Sequence, residues 1–424
     1  MSENIFQDTV NLLNKLGKES GINPNVLNYL SQPELLTSVS FPVKMDDGKI
    51  RIFKGFRSRY STILGPAKGG IRFHQDVNAK EVNSLGLWMM VKNSLVGLAY
   101  GGGKGGVIVD SRALSTGELE RVSRAYVRAI YDAIGEKTDI PAPDVGTNPT
   151  VMACMSDEYD TINRVKSPGT FTGKPIPLGG SLFRTEATGF GAYITTKLLS
   201  EKIGKSPKET TVAVQGLGNV GYYLTKFLNE EGYKVLAISD VDGAIYCENG
   251  LNIPAIYEAL AKAKKGTSIA TSEIYSMSSG AKVISNAELL ELNVDILLPA
   301  AIENVITTKN VDKIKAKYIV EVANGPLQPE VNPILEQKGI VILPDVLVNA
   351  GGVVVSYFEW LQNLSCYYWD EAEVKEKLIK IMTKAFNNVW ELKNKNNVSC
   401  RSAAYAIALK RIENALNAKF NDFK

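Results

Sequence analysis

The chain has 424 residues, enough for two or three domains at roughly 100–200 residues each. Apolar residues make up 45% and charged residues 22%, which excludes a disordered chain, a collagen and a coiled-coil rod. The net charge is +3, so the composition gives no support for nucleic-acid binding. Residues 1–35 read as a helical lead-in, with Val10, Leu12, Leu13 and Leu16 at helical spacing. SVSFPVKM and KIRIFKGFRSRYS then alternate as strands, joined at Asp46-Asp47-Gly48 as a hairpin. Residues 78–96 predict a helix capped by Asn78, with Glu81 completing a capping box. GGGKGG follows at 101–106 as a glycine-rich stretch leading into the strand VIVD. A second amphipathic helix is expected from Thr116, its cap, through Ile134. The Gly- and Pro-rich stretch from Pro141 to Gly191 should hold a domain boundary.

From about 209 the pattern turns to strand–helix–strand. TTVAVQG, KVLAIS, DILLPAA (295–301), YIVEVA (318–323) and GIVILPD (339–345) read as buried strands, so a doubly wound parallel sheet is expected. Residues 371–393 and 399–420 predict two amphipathic helices. The longest uncharged run, Thr210–Thr225, has 16 residues and three glycines, which argues against a membrane span of about 20 apolar residues. The opening MSENIFQDTVNLL has no basic stretch followed by an apolar block, so no signal peptide and a cytoplasmic location are expected.

Cys154, Cys247, Cys366 and Cys400 are far apart, and no metal site is expected from them. His74 is the only histidine, and no Gly-x-Ser-x-Gly elbow is present, so proton transfer must fall to Lys, Asp, Glu or Tyr.

Gly216-Leu217-Gly218-Asn219-Val220-Gly221 fits G-x-G-x-x-G between a strand and a helix, where glycines let backbone approach a pyrophosphate. Asp240, 24 residues after Gly216, closes the next strand and could bind the adenosine ribose; it favours NAD, with NADP open. Ala300, Ala301, Asn324 and Asn349 lie at strand or loop ends expected to line the cofactor crevice. In the first half, Lys68 and Lys104 are framed by glycines, and Lys92 precedes the second frame. GGGKGG is not a phosphate-binding P-loop: Leu98 stands where its first Gly belongs, and Gly105 where Ser or Thr would bind magnesium. If the three lysines converge, two could hold a dicarboxylate while the third, its pKa lowered by like charge and burial, exchanges protons. Asp144, in PAPDVG, is a second proton carrier or a turn residue.

Together GPAKGGIRF, KNSLVGLAYGGGKGG, PAPDVGTN, RTEATGFG, GLGNVG, EVANGP and NAGGVVVSYFEW resemble, in order and spacing, the glutamate dehydrogenase family over about residues 30–420. The resemblance implies reversible oxidative deamination of L-glutamate to 2-oxoglutarate and ammonium with NAD(P). It implies that Lys104 activates water and stabilises the carbinolamine, and that Asp144 shuttles protons. It assigns Lys92 to the α-carboxylate, Lys68 and Ser356 to the side-chain carboxylate, and Asn349 to the substrate near the nicotinamide end. Arg184, Thr188, Gly216, Gly218, Asn219, Val220, Gly221, Asp240, Ala300, Ala301 and Asn324 are expected to bind the cofactor.

The expected fold is α/β, with two domains around a cleft that closes for hydride transfer. One is a Rossmann-like doubly wound cofactor domain (184–397) and the other an α/β substrate domain (1–183 and 398–424). The family implies a homohexamer. No long helical insertion precedes the last helix, so purine regulation is not expected. Gln75, Ala99, Gly146 and Phe183 depart from the family pattern without touching the lysines or Asp144. The rivals are a leucine- or phenylalanine-type dehydrogenase, expected to carry an apolar residue at Lys68, a non-catalytic nucleotide-binding regulator, and a phosphoryl-transfer enzyme.

Overall fold

A computed structural model describes residues 5–264 and 266–420. Residues 1–4 and 421–424, which open and close the expected substrate domain, lie outside the described residues. The chain divides into two compact units. The first comprises the described parts of Met1–Arg184 and Tyr405–Lys424, together with Val353–Lys377. The second comprises Thr185–Gly352 and Leu378–Ala404. No helix among the described residues is long and apolar enough to cross a membrane.

The first unit is built on β1 (Leu35–Lys44), β2 (Ile50–Ser61), β3 (Ala67–His74), β4 (Gly102–Ile108) and β5 (Asp139–Pro143), in the order β1-β2-β4-β3-β5. The β1–β2 hairpin turns at the predicted Asp-Asp-Gly and pairs Leu35 with Arg59 through Lys44 with Ile50. β2 is antiparallel to β4, whereas β3 runs parallel to both β4 and β5. GGGKGG is therefore mostly strand rather than a loop before one. Its glycines let helices close on both faces of β4. A side chain at Gly102 would strike Gly86 and Met90 of helix Ala79–Leu95. One at Gly105, on the opposite face, would meet Tyr126 of helix Thr116–Ile130. The core on that second face joins Phe41, Phe53, Ile71, Phe73 and Val107 to Val122, Tyr126 and Met152.

One helix start differs from the reading of the sequence, and at another only the reciprocal half of the cap is missing. Ser115, not Thr116, caps the second helix, in a reciprocal box with Glu118, and that helix ends at Ile130. Asn78 does accept from the Glu81 N–H, at 3.0 Å. The Glu81 carboxylate, however, leaves the cap for Arg72, 2.6 Å away, because a buried carboxylate gains more from a guanidinium than from a cap N–H.

The second unit contains β6 (Thr211–Gln215), β7 (Lys234–Ser239), β8 (Ala244–Tyr246), β9 (Lys282–Ile284), β10 (Ile296–Pro299), β11 (Tyr318–Val320) and β12 (Val341–Leu343). Their order is β12-β11-β10-β6-β7-β8-β9. The five strands from β12 to β7 are parallel, and β8 and β9 add an antiparallel edge. The edge strands, three residues each, are too short to show a period in the sequence. The strand order reverses between β10 and β6, the switch point beyond whose carboxyl ends such sheets bind ligands. Ala213, Leu297, Ile319 and Ile342 form the buried seam beneath it. The terminal helices run Glu371–Asn396 and Cys400–Lys419.

Candidate active site

In the first unit, Lys68 lies on β3 and Lys104 on β4, while Asp144 follows the last residue of β5. Register pairs Lys68 with Ile140 and Ile71 with Gly105. Glycine makes this approach possible. A Cβ at Gly69 would fall on the carbonyl of Gly103, and one at Gly70 would press on the Asp144 side chain, 2.7 Å from its Cβ. Residues 68 and 70 share a face of β3, so Asp144 packs on the face that carries Lys68. Lys104 shares the face of Gly102, the one covered by helix Ala79–Leu95, which carries Lys92. All three lysines are inside the unit: Lys68 is 1% exposed, Lys104 6% and Lys92 9%.

The charges are ordered. Lys104 Nζ is hydrogen-bonded and ion-paired to Asp144 Oδ2. Arg72 Nε donates to Asp144 Oδ1 at 3.0 Å, and the Val145 N–H donates to the same oxygen at 2.8 Å. Burial opposes ionisation of Asp144, but Lys104 and Arg72 outweigh it and hold the carboxyl well below the ordinary range. Beneath the site Arg57 and Asp139 form a fully buried pair, with Arg57 Nε 2.8 Å from Asp139 Oδ2.

Among the described residues, Lys68 has no carboxylate in hydrogen-bond contact. Its ammonium donates to Thr172 Oγ1 at 2.8 Å and to the carbonyls of Ile140 and Pro141 at 3.2 and 3.3 Å. Burial, then Arg57 and Arg184, push its pKa well below the ordinary lysine value, against the fields of Glu359 and Asp139. The physical reason is packing: Lys68 is enclosed among neutral oxygens and cations.

Arg184 Nε donates to Ser356 Oγ at 3.0 Å, and both residues belong to the first unit. Arg184 thus lies with the first unit's cations, although it was expected among the cofactor residues. Thr172, Arg72, Lys174 and Glu359 were not singled out from the sequence. Arg72 lies inside the quoted GPAKGGIRF, and Glu359 lies three residues beyond Ser356 on the same helix, a spacing that shares a face.

In the second unit most of the other predicted residues follow the carboxyl ends of its parallel strands. Gly216 follows β6 with φ +96°, and a Cβ there would collide with Ala301. A Cβ at Gly221 would fall on the Gly216 carbonyl, while Gly218 faces open space. Gly218 caps helix Asn219–Glu231, so its first N–H groups, with Val220 in the first turn, have no partner within the helix. This cradle fits a dinucleotide pyrophosphate. Asn219 Nδ2 donates to the Thr185 carbonyl at 2.8 Å, and Thr188 lies in the first turn of helix Ala187–Lys202. Asp240 follows β7 and accepts from the N–H groups of Asp242 (2.9 Å) and Ile269 (2.7 Å). Ala300 follows β10 and donates its N–H to Gln215 at 2.8 Å. Asn349 Nδ2 reaches Asn324 Oδ1 at 2.8 Å and the Val322 carbonyl at 3.1 Å.

Residues 179–419 match the family described as Glutamate/Leucine/Phenylalanine/Valine dehydrogenase, and residues 33–161 match the Glu/Leu/Phe/Val dehydrogenase dimerisation domain. The chain is 45% identical over 421 residues to the NAD-specific glutamate dehydrogenase of Clostridioides difficile, spanning 98% of each chain. It is also 45% identical over 419 residues to the NADP-specific glutamate dehydrogenase of Synechocystis sp. (strain ATCC 27184 / PCC 6803 / Kazusa), covering 99% of this chain and 98% of the relative. Among solved structures it is similar to the hetero-hexameric glutamate dehydrogenase of Thermus thermophilus (Leu bound form), with TM-score 0.91 and 33% identity over 99% of this chain and 98% of that one. With both halves matched and the lysine–aspartate geometry in place, this chain belongs to the Glutamate/Leucine/Phenylalanine/Valine dehydrogenase family.

Proposed function

We propose that this chain catalyses the reversible oxidative deamination of L-glutamate to 2-oxoglutarate and ammonium, using NAD or NADP. The first unit binds the amino acid and the second the dinucleotide. The observation that carries the substrate assignment is Lys68: a buried ammonium whose hydrogen-bond partners among the described residues are neutral oxygens. A leucine or phenylalanine side chain would leave that charge uncompensated in a dry pocket, at a cost of several kcal/mol or the loss of its proton. The distal carboxylate of glutamate compensates it, with Ser356 as a hydroxyl donor and Arg184 behind Ser356.

In this reading Lys92 holds the α-carboxylate. Lys104 orients and activates the attacking water and stabilises negative charge on the carbinolamine oxygen. Asp144, in contact with Lys104, moves protons to and from the departing nitrogen. A dinucleotide held by the second unit would supply the hydride acceptor for the substrate α-carbon. Gly216, Gly218, Asn219, Val220 and Gly221 hold its pyrophosphate, with Thr188, Ala300, Ala301 and Asn324 lining the crevice. Asn349 orients the substrate. Asp240 favours NAD, because its carboxylate repels a 2′-phosphate. A cytoplasmic homohexamer is the location and assembly that accompany this reading.

Initial rates with glutamate, measured separately with NAD and NADP, test the cofactor. Lys68→Leu tests the pocket: selectivity for glutamate over an apolar amino acid should fall by about 10²-fold or more, as for truncation of a buried charge pair. Unchanged selectivity would remove the pocket assignment.

A further inference from the structure

Ser356 and Glu359 lie on one face of helix Gly351–Ser365, and Glu359 is fully buried. Its carboxylate accepts from the N–H groups of Gly173 (2.8 Å) and Lys174 (3.3 Å) and pairs with Lys174 Nζ at 3.0 Å. Lys174 Nζ also donates to the carbonyls of Phe171 (2.5 Å) and Pro168 (2.9 Å). The strap 168–174 is therefore wound around one buried ion pair. Midway along it Thr172 is anchored by its N–H to the Pro141 carbonyl at 3.1 Å, and its hydroxyl accepts from Lys68 at 2.8 Å. Two consequences follow for Lys68. One is geometric: Glu359 holds Gly173 and Lys174, the residues directly after the Thr172 whose hydroxyl accepts from Lys68. The other is electrostatic. The charged groups acting on Lys68 are Arg57 and Arg184, which oppose its proton, and Glu359 and Asp139, which favour it. Each carboxylate has a cation of its own, Arg57 for Asp139 and Lys174 for Glu359. Arg57 is itself one of the groups opposing the Lys68 proton, so neutralising Glu359 is the cleaner removal of favourable field.

We propose that Glu359 is a positioning residue for substrate selectivity: through Lys174 and Thr172 it aims Lys68 at the distal carboxylate of the substrate and keeps that ammonium charged. The inference rests on the assignment of Lys68 to that carboxylate. A buried carboxylate that only stabilised the fold would affect all substrates equally. One that acts on Lys68 must affect a dicarboxylic amino acid more than its neutral isostere.

The test compares L-glutamate with L-norvaline, in which a methyl group replaces the distal carboxylate. The ratio of their kcat/KM values cancels whatever titrates in the shared chemistry and reports the charge on Lys68. In the wild type this ratio should fall as rising pH deprotonates Lys68. In Glu359→Gln it should be at least about tenfold lower at neutral pH, through a raised glutamate KM more than a reduced kcat, and its fall should begin at lower pH. Glu359→Asp keeps the charge one methylene further from the strap, so its ratio should lie between the two. It also serves as the test if Glu359→Gln does not fold. A ratio and pH dependence unchanged in the folded variants, or equal losses for both substrates, would overturn the inference. If Lys68→Leu abolishes selectivity while the Glu359 variants retain it, only the role of Glu359 falls. If Lys68→Leu leaves selectivity intact, the pocket assignment itself falls.

Discussion

Lys104 and Asp144 close a line of alternating charge that runs Glu81, Arg72, Asp144, Lys104. Alternation lets four ionisable groups share a poorly solvated site, since each charge has an opposite neighbour. Asp144 is held ionised well into acid, so its contribution to stability is complete above an ordinary carboxyl pKa of about 4 and is lost as pH falls through its depressed value. A base that is already ionised and bonded to the activating lysine can receive a proton without first giving one up. Lys104→Ala should therefore keep the fold, seen as an unchanged circular dichroism spectrum, and lower kcat by about a thousandfold or more. Asp144→Asn, which keeps the shape and removes the base, should cost about 10²–10⁴ in kcat. Near-normal turnover in either would remove that residue's catalytic role.

At the scale of the element, the close packing of β3 against β4 and β5 decides where the lysines go. Gly69→Ala forces a methyl group onto the Gly103 carbonyl. The expected cost is on the order of 1–3 kcal/mol in a chemical-denaturation midpoint, with a loss of activity out of proportion, because Lys68 and Lys104 flank the displaced backbone. In the second unit, Glu321 follows β11 and accepts two bonds from Arg401 (2.6 and 2.7 Å) and one from the Asp345 N–H (2.9 Å). Asp345 in turn accepts from the Gly325 N–H at 2.9 Å, so the pair ties the loop carrying Asn324 to the turn before Asn349. Burial, helped by Asp345 and opposed by Arg401, pushes the Glu321 carboxyl up to about 7. A raised carboxyl binds its proton more tightly in the folded state, so its stabilising contribution is full below the unfolded pKa of about 4.5 and fades as pH rises through about 7. Glu321→Gln should flatten the stability profile across that interval, measured as urea midpoints against pH. An unaltered slope would show that Glu321 does not titrate there.

At the scale of the whole molecule, the first unit holds the buried lysines with Arg72 and Asp144, and the second a glycine cradle at a strand-order reversal. The first unit also takes in Val353–Lys377, far along the chain, and with it Ser356 and Glu359. If the assembly is a homohexamer, sedimentation should give a single species of six-chain mass; a monomer or dimer at working concentration would refute it.

The sequence by itself determined the strand–helix pattern of both units, the glycine cradle, and Lys68, Lys92, Lys104 and Asp144 as the residues to follow. These are written locally: a glycine beside a lysine, or a strand running into G-x-G-x-x-G, is visible within a few residues. Only the tertiary structure decided that GGGKGG is strand, that Glu81 turns to Arg72, that Arg184 bonds Ser356, and that Glu359 organises the strap beneath Lys68. Lys68 and Thr172 are 104 positions apart, and Lys174 and Glu359 are 185. Charge pairing over such separations is set by burial and by which backbones can touch, and neither is written in local spacing.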